Sequence, residues 1–136
     1  MSKIKLVFML SLGLIIFPCA IAFAFSVPKL SLEEKVAKSS LVFIGTIKES
    51  DYKDARRKSY ESVALVRVDQ VLKGSVSGDV QLLYSEGIAE SALDCCIDGG
   101  TYLFFVSANE RGLMRSVNGP NGIYQINPAP TSGAVN

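Results

Sequence analysis

Past residue 40 the chain is built of short apolar runs separated by clusters of Gly, Asn, Asp, Ser and Pro, the punctuation of an all-β domain. Residues 41–47, LVFIGTI, are a near-continuous apolar, β-branched run. A polar stretch, 48–59, separates it from a longer segment, 60–72. There Ala64, Val66, Val68 and Leu72 alternate with Leu65, Arg67, Asp69 and Val71. Most of the apolar weight falls on the even-numbered face, which predicts a strand with that side in the core. Turn chemistry from Lys73-Gly74-Ser75 to Gly78-Asp79 precedes a third strand over 80–84. After a loop beginning at Ser85, residues 101–107, TYLFFVS, form the most β-prone segment of the chain. A turn over 109–112 leads to a short strand at 113–117, and NGPNG at 118–122 is turn sequence before a last edge strand at 123–126. From Asn127 onward, small residues and prolines predict a disordered tail.

Only one stretch has a helical period. Ser31-Leu32-Glu33-Glu34 fits a capping box, predicting a helix over 31–39 with Leu32, Val36 and Ala37 on one face. One short helix followed by five or six strands in about a hundred residues makes the chain mainly β, a small barrel or sandwich. A closed barrel also removes the sheet edges that invite aggregation.

The first 24 residues read as a separate element. Lys3 and Lys5 precede an apolar run over 6–17, then Pro18, and Ala22-Phe23-Ala24 supplies small residues at a processing site. That order is the signature of a secretory signal peptide cleaved after Ala24, which places the mature chain in a secreted or periplasmic compartment. The run 6–25 also has the length of a membrane span, but Pro18 and the Ala-x-Ala site favour cleavage, leaving no stable span. Lipid attachment at Cys19 is the lesser alternative, because Ile16-Phe17-Pro18 lacks small residues.

Charge narrows the partners. Removing Lys3 and Lys5 from the 14 basic and 13 acidic side chains turns the formal charge from +1 to −1. No strong field of either sign then remains to attract nucleic acid or an anionic membrane surface. The one basic cluster, Arg56-Arg57-Lys58, sits beside Asp51, Asp54 and Glu61, and reads as a locally compensated, solvated loop. Stacking of an oligonucleotide on Tyr52, Tyr60, Tyr84, Tyr102 or Tyr124 is the poorer reading for such a chain; most of these tyrosines read as packing strand residues.

Candidate chemistry is sparse. The chain has no histidine, so Ser-His-Asp and Cys-His catalysis fall away, and so does the commonest transition-metal ligand. Asp94 and Asp98 do not have the spacing of a calcium loop. No catalytic, cofactor-binding or metal site is predicted, and the chain does not read as an enzyme. What stands out is Cys95-Cys96, in the loop LDCCIDGG. In an oxidising compartment cysteines usually pair, and three arrangements are open: two unbridged thiols, an intermolecular disulfide giving a linked homodimer, and a bond between the two neighbours. Neighbouring Cα atoms lie about 3.8 Å apart across a trans peptide, whereas disulfides prefer roughly 4.4 to 6.8 Å. The neighbour bond therefore predicts a distorted or cis peptide.

Together, the segments AKSSLVFIGTI, VRVDQVLKG, GDVQLLY and GGTYLFFV, with a cysteine-bearing loop between the last two, resemble the netrin-like domains, the group that includes the tissue inhibitors of metalloproteinases. The resemblance spans residues 36–117 and rests on Val42-Phe43-Ile44-Gly45, Val71-Leu72-Lys73-Gly74 and Gly100-Thr101-Tyr102-Leu103. It implies a five-stranded OB-like barrel over 25–126. The animal inhibitors use a mature N-terminal cysteine to chelate the protease zinc; here the predicted start is Phe25-Ser26-Val27-Pro28. The group also pairs a cysteine near position 95 with a later one, where this chain has Val117-Asn118-Gly119. The combined expectation is a non-catalytic binding module for another extracytoplasmic protein, using the loops 48–59 and 85–99. The alternatives are a redox or soft-metal module at Cys95 and Cys96, and, through the resemblance alone, a metalloprotease inhibitor.

Overall fold

The computed structural model describes residues 27–87 and 93–128. The expected leader 1–24, with its cleavage site at Ala24 and with Cys19, lies outside the described residues. So do residues 88–92 of the second loop and 129–136 of the expected tail. The order of elements is α1 (Leu32–Lys38), β1 (Leu41–Glu49), β2 (Ser62–Lys73), β3 (Val80–Ser85), β4 (Thr101–Ala108), β5 (Met114–Ser116), a 3-10 turn (Gly119–Gly122) and β6 (Ile123–Asn127). β6 thus takes in Asn127, the first residue of the expected tail.

β1 pairs antiparallel with β2, β2 with β3, and β4 with both β1 and β5. A short parallel pairing of Leu82 with Met114 and Leu83 with Arg115 joins β3 to β5 and closes the ring. The molecule is therefore a mainly β, OB-like five-stranded barrel with one short N-terminal helix. β6 is the extra strand. β5 and β6 run one after the other along the same edge of β4: Ala108, Ser107 and Val106 pair with Met114, Arg115 and Ser116. The Val117 amide then donates to the Phe105 carbonyl, and Phe104 to Thr101 pair with Ile123 to Asn127. The 3-10 turn is thus an interruption in one long hairpin arm.

The core follows the inward face of each strand. Leu41, Phe43 and Ile47 of β1 meet Ala64 and Val66 of β2, Leu82 of β3, and Tyr102, Phe104 and Val106 of β4. Phe43 stacks on Phe104 with ring centroids 4.8 Å apart. At about 25 cal/mol per Å² of apolar surface removed from water, such residues supply most of the driving force for closure. The alternation of β2 holds from Ala64 to Val68 and then fails. Between Val42 and Phe43 of β1 the partner jumps from Lys73 to Val71, and between Ile44 and Gly45 it jumps from Gln70 to Val68. Each jump leaves an extra residue on β2, first Leu72 and then Asp69, and a bulge re-aims the side chains around it. Leu72, expected in the core, is instead 52% exposed. Val63, expected to face away from the core, is buried in a satellite cluster with Leu83, Leu113 and Tyr52.

Two glycines, in the segments Val42-Phe43-Ile44-Gly45 and Val71-Leu72-Lys73-Gly74, have a steric reason. A Cβ on Gly45 would stand 2.7 Å from the Arg67 carbonyl oxygen and 2.7 Å from Val66 Cγ1, at the second bulge. Gly74, at φ +82°, lies where a Cβ would meet the Ser40 carbonyl oxygen at 2.4 Å, so the turn after β2 can close over the start of β1.

Candidate functional site

A seven-residue helix is too short to hold itself together in water, so α1 depends on its anchors. The capping box is formed as expected: Ser31 Oγ accepts from the Glu34 amide at 3.2 Å, and Glu34 Oε2 accepts from the Ser31 amide at 2.8 Å. Ahead of it, Asn118, distant in sequence at the start of the 3-10 turn, clamps the chain. Its Oδ1 accepts from the Leu30 amide at 3.0 Å, and its Nδ2 donates to the Pro28 carbonyl at 2.9 Å. At the other end, Ser39 Oγ donates to the Lys35 carbonyl, and Ser107 Oγ donates to the Lys38 carbonyl while accepting from the Ser40 amide. Lys73 Nζ donates to the Val36 carbonyl.

These polar anchors decide which face of α1 is turned inward. Lys35, only 7% exposed, is the helix residue that is buried; its ammonium bonds the Tyr124 hydroxyl and lies 5.0 Å from that ring's centroid. The apolar side predicted from the helical period is left open, with Leu32 60% and Val36 37% exposed. It faces a second apolar surface, the outer side of the barrel. The run TYLFFV is apolar on both faces of β4, so once Tyr102 and Phe104 fill the core, Leu103 and Phe105 need cover outside it.

Phe105 is covered, at 2% exposed, whereas Leu103 is only partly so. An apolar groove of about 280 Å³ runs between α1 and the barrel. Val42, Leu103 and Phe105 line it from the barrel, Leu32 and Val36 from the helix, and Leu72 and Lys73 from the bulged end of β2. Among the described residues that line it, Lys73 alone is charged. Among the described residues, none of the 48–59 loop or the 85–99 loop contributes to it. The sequence signal was present in two pieces: an amphipathic helix, and a strand too apolar for one buried face. The bulge that swings Leu72 into the groove has no signal of its own.

At the end of the barrel where β1 gives way to the 50–61 segment, the cysteine loop forms a plug. Leu93 donates to the Tyr84 carbonyl, Gly99 donates to the Ile47 carbonyl, and the Ile47 amide donates to the Gly100 carbonyl at 2.9 Å. Asp98 Oδ1 accepts from the Ser50 amide at 2.7 Å, and the Tyr84 hydroxyl donates to the Ser50 carbonyl at 2.7 Å. Within this frame Cys95 and Cys96 are bonded to each other. No cis peptide accompanies the bond among the described residues; instead Cys96 takes φ +77°, the only non-glycine residue there with positive φ. The cis form of the expected peptide is thus not taken, and the ring closes through a residue of positive φ, a conformation that costs an L-residue roughly 1–2 kcal/mol. Cys96 is 3% exposed and belongs to the core cluster, and Cys95 packs against it partly buried.

The other candidates separate. Asp98 is occupied as an acceptor for the Ser50 amide and Asp94 is exposed. Among the described residues no group of three metal-ligating side chains converges, and no helix is long and apolar enough to cross a membrane. Tyr102 and Tyr84 pack on the core and Tyr52 on the satellite cluster, whereas Tyr60 and Tyr124 are exposed. The basic cluster is compensated locally in part: Arg56 pairs with Asp54 at 2.6 Å, and Arg57 with Asp51 at 2.8 Å. Glu61 is not part of that solvated network. It is 4% exposed and makes a two-pronged pair at 2.7 Å with Arg111, fifty residues on, while accepting from the Lys58 amide. The Arg111 hydrogen bonds hold its carboxyl down at about 2, against the opposing pull of burial. No family model matches the chain, and no curated protein matches it.

Proposed function

We propose that this chain is an extracytoplasmic, non-catalytic binding module of the netrin-like type, whose groove between α1 and the barrel docks an apolar segment of another protein. The observation that carries this reading is the groove itself. A soluble domain rarely leaves a helix's apolar face and a sheet's apolar outer face turned toward each other and unfilled, and such surfaces mark interaction sites. At about 280 Å³ and open to solvent, the groove falls just below the roughly 300–1,000 Å³ of small-molecule pockets. It suits side chains projecting from a partner, as when a peptide sets its anchors into a hydrophobic groove.

Lys73 specifies the partner further. Its ammonium has three donors, and one of them goes to the Val36 carbonyl. The remaining donors stand at the edge of an otherwise aliphatic and aromatic surface, where a carboxylate fits. The expected occupant is therefore a protein segment with aliphatic anchors and a neighbouring Asp or Glu. Immobilised wild-type domain should retain a protein from extracytoplasmic extract saturably. Val36→Glu and Lys73→Glu should each weaken retention about tenfold, the effect of roughly 1.4 kcal/mol. Equal retention by all three proteins, or no saturable retention, refutes the proposal. Recovery of the chain itself as the retained species replaces a foreign partner with self-association.

A further inference from the structure

The plug at the other site carries chemistry that the groove does not use. We propose that Cys95–Cys96 is a two-electron thiol–disulfide exchange site with a fixed direction: an external dithiol attacks Cys95 Sγ, and Cys96 is the buried leaving sulfur.

The two sulfurs are bonded to each other but not equivalent. Cys96 is 3% exposed among core residues, whereas Cys95 is partly buried and follows the exposed Asp94. Exchange rates depend on which sulfur an incoming thiolate can reach, and here access selects Cys95. In the first step the donor thiolate forms a bond to Cys95 Sγ. The Cys95–Cys96 bond breaks, its electron pair leaves on Cys96 Sγ, and that sulfur takes up a proton to become a thiol. In the second step the donor's other thiol, deprotonated, attacks its own partner sulfur in the mixed disulfide. Cys95 is released as a thiolate and protonated. The pair has then gained two electrons and two protons, and the donor dithiol has become a disulfide.

Reduction also removes the covalent ring that holds Cys96 at φ +77°. An unconstrained cysteine disfavours that conformation, so the plug loses its reason to keep its shape. The bonds from Gly99 to Ile47 and from Gly100 to Ile97 lie within four residues of it. The reduced protein should therefore exchange its Gly99 and Gly100 amides roughly tenfold faster, with the β1–β2 amides unchanged.

The direction is tested on the wild-type chain, so no variant needs to fold. The oxidised protein is incubated with glutathione under native conditions, quenched in acid, alkylated, and mapped by peptide mass. The expected product carries glutathione on Cys95 and the alkyl group on Cys96. Glutathione on Cys96 overturns the direction, and no adduct without denaturant overturns the site. A dithiol such as dithiothreitol should then raise the intact mass by the two hydrogens and accelerate the plug amides. Reduction that leaves those amides unchanged overturns the structural consequence.

Discussion

Glu61 is a buried carboxylate, 4% exposed, held by a two-pronged pair with Arg111. Its charge is compensated chiefly by Arg111 on the β4–β5 turn, with the neighbouring Lys58 contributing its amide and a weaker charge. Local spacing reports only short-range partners, and this pair forms only when the barrel closes. Because the folded carboxyl sits at about 2 instead of 4.5, its stabilisation is complete above pH 4.5. It is lost as pH falls from there through about 2. The shift corresponds to about 3 kcal/mol. Glu61→Gln should destabilise the protein by about 3 kcal/mol at pH 7 by leaving Arg111 without its partner. It should also flatten the pH dependence of the urea midpoint between pH 5 and 2. A variant as acid-sensitive as the wild type would assign that sensitivity to other carboxylates. Gly45 is a second residue whose role is steric. Gly45→Ala, pressed against the Arg67 carbonyl and Val66, should cost about 1–3 kcal/mol by overpacking, seen as a lower midpoint with unchanged m-value.

At the scale of elements, the strands and the helix were legible wherever a single pattern dominates. The alternation through Ala64, Val66 and Val68, the apolar run of β4 and the Ser31 capping box each predicted the element that forms. What could not be read was the orientation of elements toward one another. The helical period identified the apolar side of α1 but not that this side stays open, because a buried Lys35, held by Tyr124, sets the helix's roll. The bulges on β2 are likewise a property of pairing with β1 and have no local signature. Since α1 is held by distant polar groups, Asn118→Ala should release it without unfolding the barrel. Amides of residues 30–38 should lose hydrogen-exchange protection while those of β1 to β4 keep theirs. Global loss of protection would mean that α1 is part of the cooperative core.

On the scale of the whole molecule, the barrel carries the groove beside α1 and the cysteine loop as two distinct features. Its closure depends on β4, which pairs with β1 along one edge and with β5 and β6 along the other. The same strand carries the core on one face and the floor of the groove on the other. The closed OB-like fold was legible because strand count, strand lengths and turn chemistry agree on a small barrel. The groove was not, because it arises between side chains 36 to 73 positions apart, Leu32 and Val36 against Leu72, Leu103 and Phe105. Leu72 is the residue to use as a probe, being exposed and at the groove's edge. A photoactivatable amino acid placed at position 72 in the full chain, irradiated in its native compartment, should give one adduct. Mapping should locate it in an aliphatic segment of another protein next to an Asp or Glu, and Val36→Glu should abolish it. Absence of an adduct, or an adduct indifferent to Val36→Glu, would contradict the groove as the docking site.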